Sequence, residues 1–163
     1  RFAPKLDGSM ASAEEGLTPM LRRWSIDVGG TTNTVAEEML DDMPCEFPRT
    51  DDRFMTRTHR HAWLVGGHDA QLMFNRLLHY DMATGARKVW GEDRYLLGEP
   101  VFAPRSGAAG EGDGYLLVLA YDQTTALSEL LIFAAADIEQ GPVARARLPL
   151  RIPSGFHGTW VGA

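Results

Sequence analysis

The chain has 163 residues, 44% hydrophobic and 23% charged, a balance that fits one globular domain or part of a larger one. Its formal net charge of −6 excludes a nucleic-acid binder that tracks phosphates, which needs a basic face. No apolar run reaches bilayer length and no signal-peptide pattern opens the chain, and its single cysteine, Cys45, excludes an internal disulfide, which suits a reducing cytoplasm.

Residues 1–19 are rich in Gly, Pro, Ala and Ser and read as loop or linker, with one helical turn around Ala11–Glu15. β signals dominate after that. Trp24-Ser25-Ile26-Asp27-Val28 alternates apolar and polar residues and meets Gly29-Gly30, a hairpin pattern. Leu77-Leu78-His79-Tyr80-Asp81 repeats it, turning over Met82–Gly85 and returning as Arg87–Trp90. Leu117–Asp122 repeats it again, turning over Gln123–Ala126 and returning as Ser128–Phe133. Each outgoing strand closes near an Asp able to accept from backbone N–H groups in the turn. Asp27, Asp81 and Asp122 are 54 and 41 residues apart, close to the length of one four-stranded propeller blade. The pattern predicts an all-β chain forming about three to four blades. Closed propellers have roughly four to eight, and an open arc leaves raw strand edges, so N-terminal blades outside this chain are expected to complete the fold. The start at Arg1 agrees with a piece of a longer protein.

Few residues invite chemistry. Cys45 has no base or cation beside it in sequence and reads as a small core or loop residue. His59 and His61 form a His-x-His pair on an expected strand, where alternation would put both on one face. No third ligand lies near them in sequence, so a polar strand face explains them as well. His68 follows Gly66-Gly67 and reads as a turn residue, and His79 reads as solvent-facing. His157 lies in Gly155-Phe156-His157-Gly158-Thr159-Trp160, where glycines permit close approach and Phe156 and Trp160 can form a dry shell. It suits either a metal ligand or a core histidine bonded to a carbonyl. Two carboxylates stand at strand mouths. Glu46, in Cys45-Glu46-Phe47-Pro48-Arg49, either supports a ligand or pairs with Arg49 in a turn. Glu99, between Gly98 and Pro100, can point inward, where a buried carboxylate needs a partner such as the N–H of a metal-bound imidazole.

Taken in order, Leu21–Asp27, Glu46-Phe47-Pro48-Arg49, Tyr80-Asp81 with Thr84-Gly85, Gly98–Phe102, Asp113–Leu117 and Pro153–Trp160 resemble the C-terminal part of the carotenoid cleavage oxygenases, a family that includes the lignostilbene dioxygenases. The set spans residues 20–161 and is specific as a set, although each short motif is weak alone. The resemblance implies part of a seven-bladed β-propeller with a non-haem Fe(2+) on its axis, held by four histidines with glutamate supports. It implies that His157 is the last iron ligand, that Glu99 orients it, and that Glu46 orients a histidine outside this chain. It also implies that Phe156 faces the substrate tunnel. The implied reaction adds O2 across a conjugated C=C bond of a carotenoid, apocarotenoid or stilbene to give two carbonyl products. Three of the family's histidines would lie upstream of Arg1, and none of His59, His61, His68 or His79 matches a ligand position, so this stretch alone is expected to be inactive. The alternatives are a non-catalytic propeller that serves as a binding module, and an isomerase of the same family.

Overall fold

A computed structural model describes residues 18–30, 34–67 and 74–162. Among them, nine strands form two antiparallel sheets. The first sheet runs in the order β1 (Met20–Ile26), β2 (Val35–Arg49), β3 (His61–Gly66), β4 (Arg76–Asp81) and β5 (Ala86–Trp90). The second runs β6 (Tyr95–Pro104), β7 (Gly114–Asp122), β8 (Leu127–Ala134) and β9 (Ala144–Arg147). The all-β expectation holds. The expected helical turn at Ala11–Glu15 and the expected turn at His68 lie outside the described residues.

The three hairpins read from the sequence are β1–β2, β4–β5 and β7–β8. Their aspartates act as expected. Asp27 Oδ1 accepts from Gly29 N at 3.3 Å, Asp81 Oδ1 from Ala83 N at 3.0 Å, and Asp122 Oδ1 from Thr124 N at 2.8 Å. Gly85 ends the second turn at φ 72°, in the left-handed region that glycine occupies without strain. Two of the three hairpins fall in one sheet, so against the three to four blades read from the period the described residues build two sheets. The period counts hairpins.

Strand β7 alternates buried and partly exposed residues along its whole length, as a strand with one face in a core must. Strands β3 and β4 are buried on both faces, which is why their sequences read as near-continuous apolar runs. One face, with Trp63, Val65, Leu77 and Trp90, packs against Tyr95, Leu97, Phe102, Leu116 and Phe133 of the second sheet. The other, with Ala62, Leu64, Leu78 and Tyr80, packs with Met43 and Cys45 of β2 and with Leu21 of β1. Trp63 is fully buried between the sheets and donates from Nε1 to the Ala135 carbonyl at 2.9 Å.

The first half of β2 pairs only with β1, as a ribbon carrying the acidic run Glu37–Asp42. Cross-strand ion pairs offset the charge of that run: Arg22 meets Glu37 at 2.7 Å and Arg23 meets Glu38 at 3.3 Å.

His79 departs from its expected place on the surface. It is 4% exposed, because both faces of β4 are covered. Its ring stacks on Trp63 at 5.5 Å, and its Nε2 lies 2.9 Å from His61 Nδ1.

Candidate metal centre

Strands β2 and β6 touch where the two sheets meet, and each carries one extra residue at the same kind of place. On β2, Glu46 is opposite Val65 and Arg49 is opposite Trp63, so three steps on β2 match two on β3. On β6, Leu97 is opposite Ala120 and Pro100 is opposite Val118, again three steps against two. Both are β-bulges, which bend a strand and re-aim its side chains. Both contain a proline, whose missing N–H a bulge tolerates. Phe47 sits in the first bulge at φ 56°, a left-handed conformation that bulky residues rarely adopt.

The second bulge delivers Glu99, whose side chain is only 5% exposed. Its Oε1 lies 3.2 Å from His157 Nδ1, and its Oε2 accepts the backbone N–H of Gly158 at 2.7 Å. Arg49 Nη1 approaches Oε1 at 3.4 Å. A carboxylate only accepts, so a neutral imidazole in this contact carries its proton on Nδ1 and its free lone pair on Nε2. That is the tautomer a metal needs, with the ring orientation set by the carboxylate. The His157 side chain is otherwise 74% exposed, so Nε2 is open. Gly158 allows the close approach, since a Cβ there would stand 3.1 Å from Val101 Cγ2. Gly155 faces open space and does not share that role.

His157 opens on a cavity of about 650 Å³ lined among others by Glu46, Phe47, Leu97, Leu119 and Phe156. Phe47 meets the imidazole edge-on at 5.9 Å, and the Phe156 ring lies 6.4 Å away. The aromatic wall is therefore Phe47 with Phe156. Trp160, expected in that wall, lines a separate recess beside Asp51, Arg53 and Phe102.

Glu46 and Glu99 thus reach one site from two strands, with His157 and Phe156 coming from the irregular C-terminal stretch. Glu46 borders the cavity. Its expected partner Arg49 bonds elsewhere, to Glu99 and, through Nη2, to Asp52 at 3.1 Å. Arg49 and Phe47 escaped the sequence reading as parts of the site. A proline one or two residues after the Glu in both strand motifs was the available signal, since a proline inside a strand marks an edge or a bulge.

The remaining candidates do not join this centre. His59 lies before β3 and its Nδ1 is 3.3 Å from the Arg57 carbonyl, while His61 is on β3 and turns to His79, so the His-x-His pair is not a paired face. Burial, helped by the nearby His61 and Lys88, pulls His79 down to about 4. Cys45 is buried, and burial, with the Asp41 and Glu46 charges, pushes its thiol up to about 11, which suits a core residue and not a nucleophile. Among the described residues no group of three or more His, Cys, Asp or Glu side chains comes together to hold a metal ion. No helix of the described residues is long and apolar enough to cross a membrane.

Comparison with known proteins places this arrangement. The family described as retinal pigment epithelial membrane protein matches residues 2–162. The chain is 36% identical over 158 residues to lignostilbene-alpha,beta-dioxygenase isozyme III of Sphingomonas paucimobilis, covering 89% of this chain and 32% of that protein. It is 33% identical over 160 residues to isoeugenol monooxygenase of Pseudomonas nitroreducens, covering 91% and 34%. Its structure superposes on the crystal structure of Pseudomonas brassicacearum lignostilbene dioxygenase with a TM-score of 0.85 and 34% identity, covering 98% of this chain and 35% of that one. The chain spans about one third of the length of these relatives. It belongs to the carotenoid cleavage oxygenase family, a group of non-haem iron oxygenases, and its two sheets are part of a β-propeller.

Proposed function

We propose that this chain is the C-terminal part of a non-haem Fe(2+) dioxygenase that cleaves a conjugated C=C bond of a stilbene, apocarotenoid or carotenoid with O2, giving two carbonyl products. The observation that carries this reading is the buried Glu99 carboxylate receiving both His157 Nδ1 and the Gly158 N–H, which leaves Nε2 free above an apolar cavity. His157 is the iron ligand supplied by this stretch. Glu99 holds its proton on Nδ1 and fixes its plane. In this reading Glu46, on the neighbouring bulge, orients a further histidine from blades outside this chain. Phe156 and Phe47 give a flat conjugated substrate an apolar wall beside the ligand. Iron, when bound, supplies the activation of O2 that no side chain can provide. A single imidazole does not outcompete water for Fe(2+), so this stretch alone is inactive and N-terminal blades are needed both to close the fold and to complete the ligand set. A single cysteine suits a reducing compartment, and a cytoplasmic location is part of this proposal.

The test uses the full-length protein. Iron content by elemental analysis is expected near one equivalent and is lost in His157→Ala. Oxygen-dependent cleavage of a hydroxystilbene or an apocarotenoid is expected to disappear with it. Iron retained in full by His157→Ala refutes the ligand role, and an iron-loaded protein inert towards both substrate classes refutes the cleavage reading.

A further inference from the structure

Glu99 receives its two shortest contacts from residues 157 and 158, which lie in a stretch without strand structure. Those contacts tie the stretch and the carboxylate to each other, and one further contact ties the carboxylate to a neighbouring strand. Arg49 supplies it. It ends β2, its side chain is 19% exposed, and its guanidinium lies between two carboxylates. Nη1 faces Glu99 Oε1 at 3.4 Å, and Nη2 faces Asp52 at 3.1 and 3.5 Å. Asp52 opens a 3-10 turn, Asp52–Phe54, whose cap Asp51 accepts from Arg53 N and is held by the Arg53 guanidinium at 2.6 Å. Arg53 in turn donates to the carbonyls of Gly107 and Ala109 at 3.3 and 2.9 Å. The guanidinium is thereby tied to the 3-10 turn and, through Arg53, to the loop after β6.

We infer that Arg49 is a positioning residue of the metal centre: it anchors Glu99 from β2, and through Glu99 it sets the orientation of His157. The inference rests on the reading of His157 as a metal ligand. The planar fork suits the task, because two nitrogens can address two carboxylates at once, which an ammonium cannot do with the same geometry. The 3.4 Å separation is long for a charge-assisted hydrogen bond, so Arg49 holds Oε1 laterally while leaving it to accept from the imidazole at 3.2 Å. Both bulges take part: one delivers the carboxylate, and the other ends on the residue that anchors it.

The test is a titration of metal-free full-length protein with Co(II), and with Fe(II) under anaerobic conditions, for wild type, Arg49→Gln, Arg49→Lys and His157→Ala. The thermal midpoint of each metal-free protein is measured alongside. Loss of a partner in the outer shell of a metal site weakens affinity roughly 10–100-fold, and that loss is expected for Arg49→Gln, with a metal-free midpoint close to wild type. Arg49→Lys, which keeps the charge without the fork, is expected to fall between Arg49→Gln and wild type. Affinity of Arg49→Gln within about twofold of wild type, while His157→Ala loses the metal, overturns the role of Arg49 and leaves the ligand reading intact. Equal weakening in Arg49→Gln and Arg49→Lys, accompanied by a clearly lowered metal-free midpoint in both, marks Arg49 as structural only and also overturns the inference. Wild-type affinity in His157→Ala overturns both readings.

Discussion

His79 should make the fold acid-labile. Its ring is buried between sheets, its Nδ1 has no hydrogen-bond partner among the described residues, and its Nε2 is engaged by His61. Burial is the largest influence holding it neutral. His61 on β3, Lys88 on β5 and Arg60 act in the same direction, and Asp81 opposes them. The folded value near 4 lies below the ordinary 6.5, so the native state prefers the neutral ring. The sign follows from linkage. Above 6.5 the ring is neutral in both states and the stability is fully present. As pH falls, the unfolded chain takes up the proton first, and stability declines until the folded ring also protonates near 4. A gap of that size corresponds to about 3 kcal/mol in all, most of it lost between pH 6.5 and 4. His79→Gln can keep a hydrogen bond to His61 and cannot titrate. Urea unfolding of wild type and His79→Gln from about pH 7 to about pH 4.5 follows the effect of the residue, its contact with His61 included. The variant should be less stable at neutral pH, and the difference should shrink by about 2 kcal/mol or more on acidification. Parallel stability curves across this range would refute a buried neutral His79.

Two further outcomes follow from the same geometry. Glu99→Gln places an amide NH2 against at least one of the donors that Glu99 now accepts, so metal affinity of the full-length protein should fall about 10–100-fold in a metal titration. Trp63→Ala removes a fully buried ring stacked on Phe102 at 5.0 Å and strands the Ala135 carbonyl, and should cost about 3–5 kcal/mol in denaturant unfolding. A loss under about 1 kcal/mol would show that the two sheets do not depend on this contact.

Local rules made much of the chain legible. Alternation, turn chemistry and the capping aspartates identify the three hairpins, because strand period and turn capping are properties of a few adjacent residues. They do not say which hairpins share a sheet. Strand β3, with its apolar run Ala62–Val65, lies between the first and second hairpins and joins them by pairing with β2 and β4, and such pairing is non-local. The acidic run Glu37–Asp42 lacks any β signal of its own and is extended in its ladder with β1, where Arg22 and Arg23 pair with Glu37 and Glu38. His79 shows the same limit in the opposite direction. Beside Tyr80-Asp81 and a turn it looks solvent-facing, and only the covering of both faces of β4 buries it.

At the candidate site the sequence by itself determined the candidates: His157 followed by glycine, two carboxylates each within two residues of a proline, and a family pattern that joins them across more than a hundred residues. Tertiary structure decided the connections. Arg49 was the natural partner of Glu46 in sequence, yet it turns to Glu99 and Asp52. Phe47, and not Trp160, stands against the imidazole. The physical reason is that side-chain direction at these positions is set by two bulges and by the packing of β2 on β6. A one-residue shift in a strand moves a side chain to the opposite face, and no local pattern reports where the neighbouring strand will be.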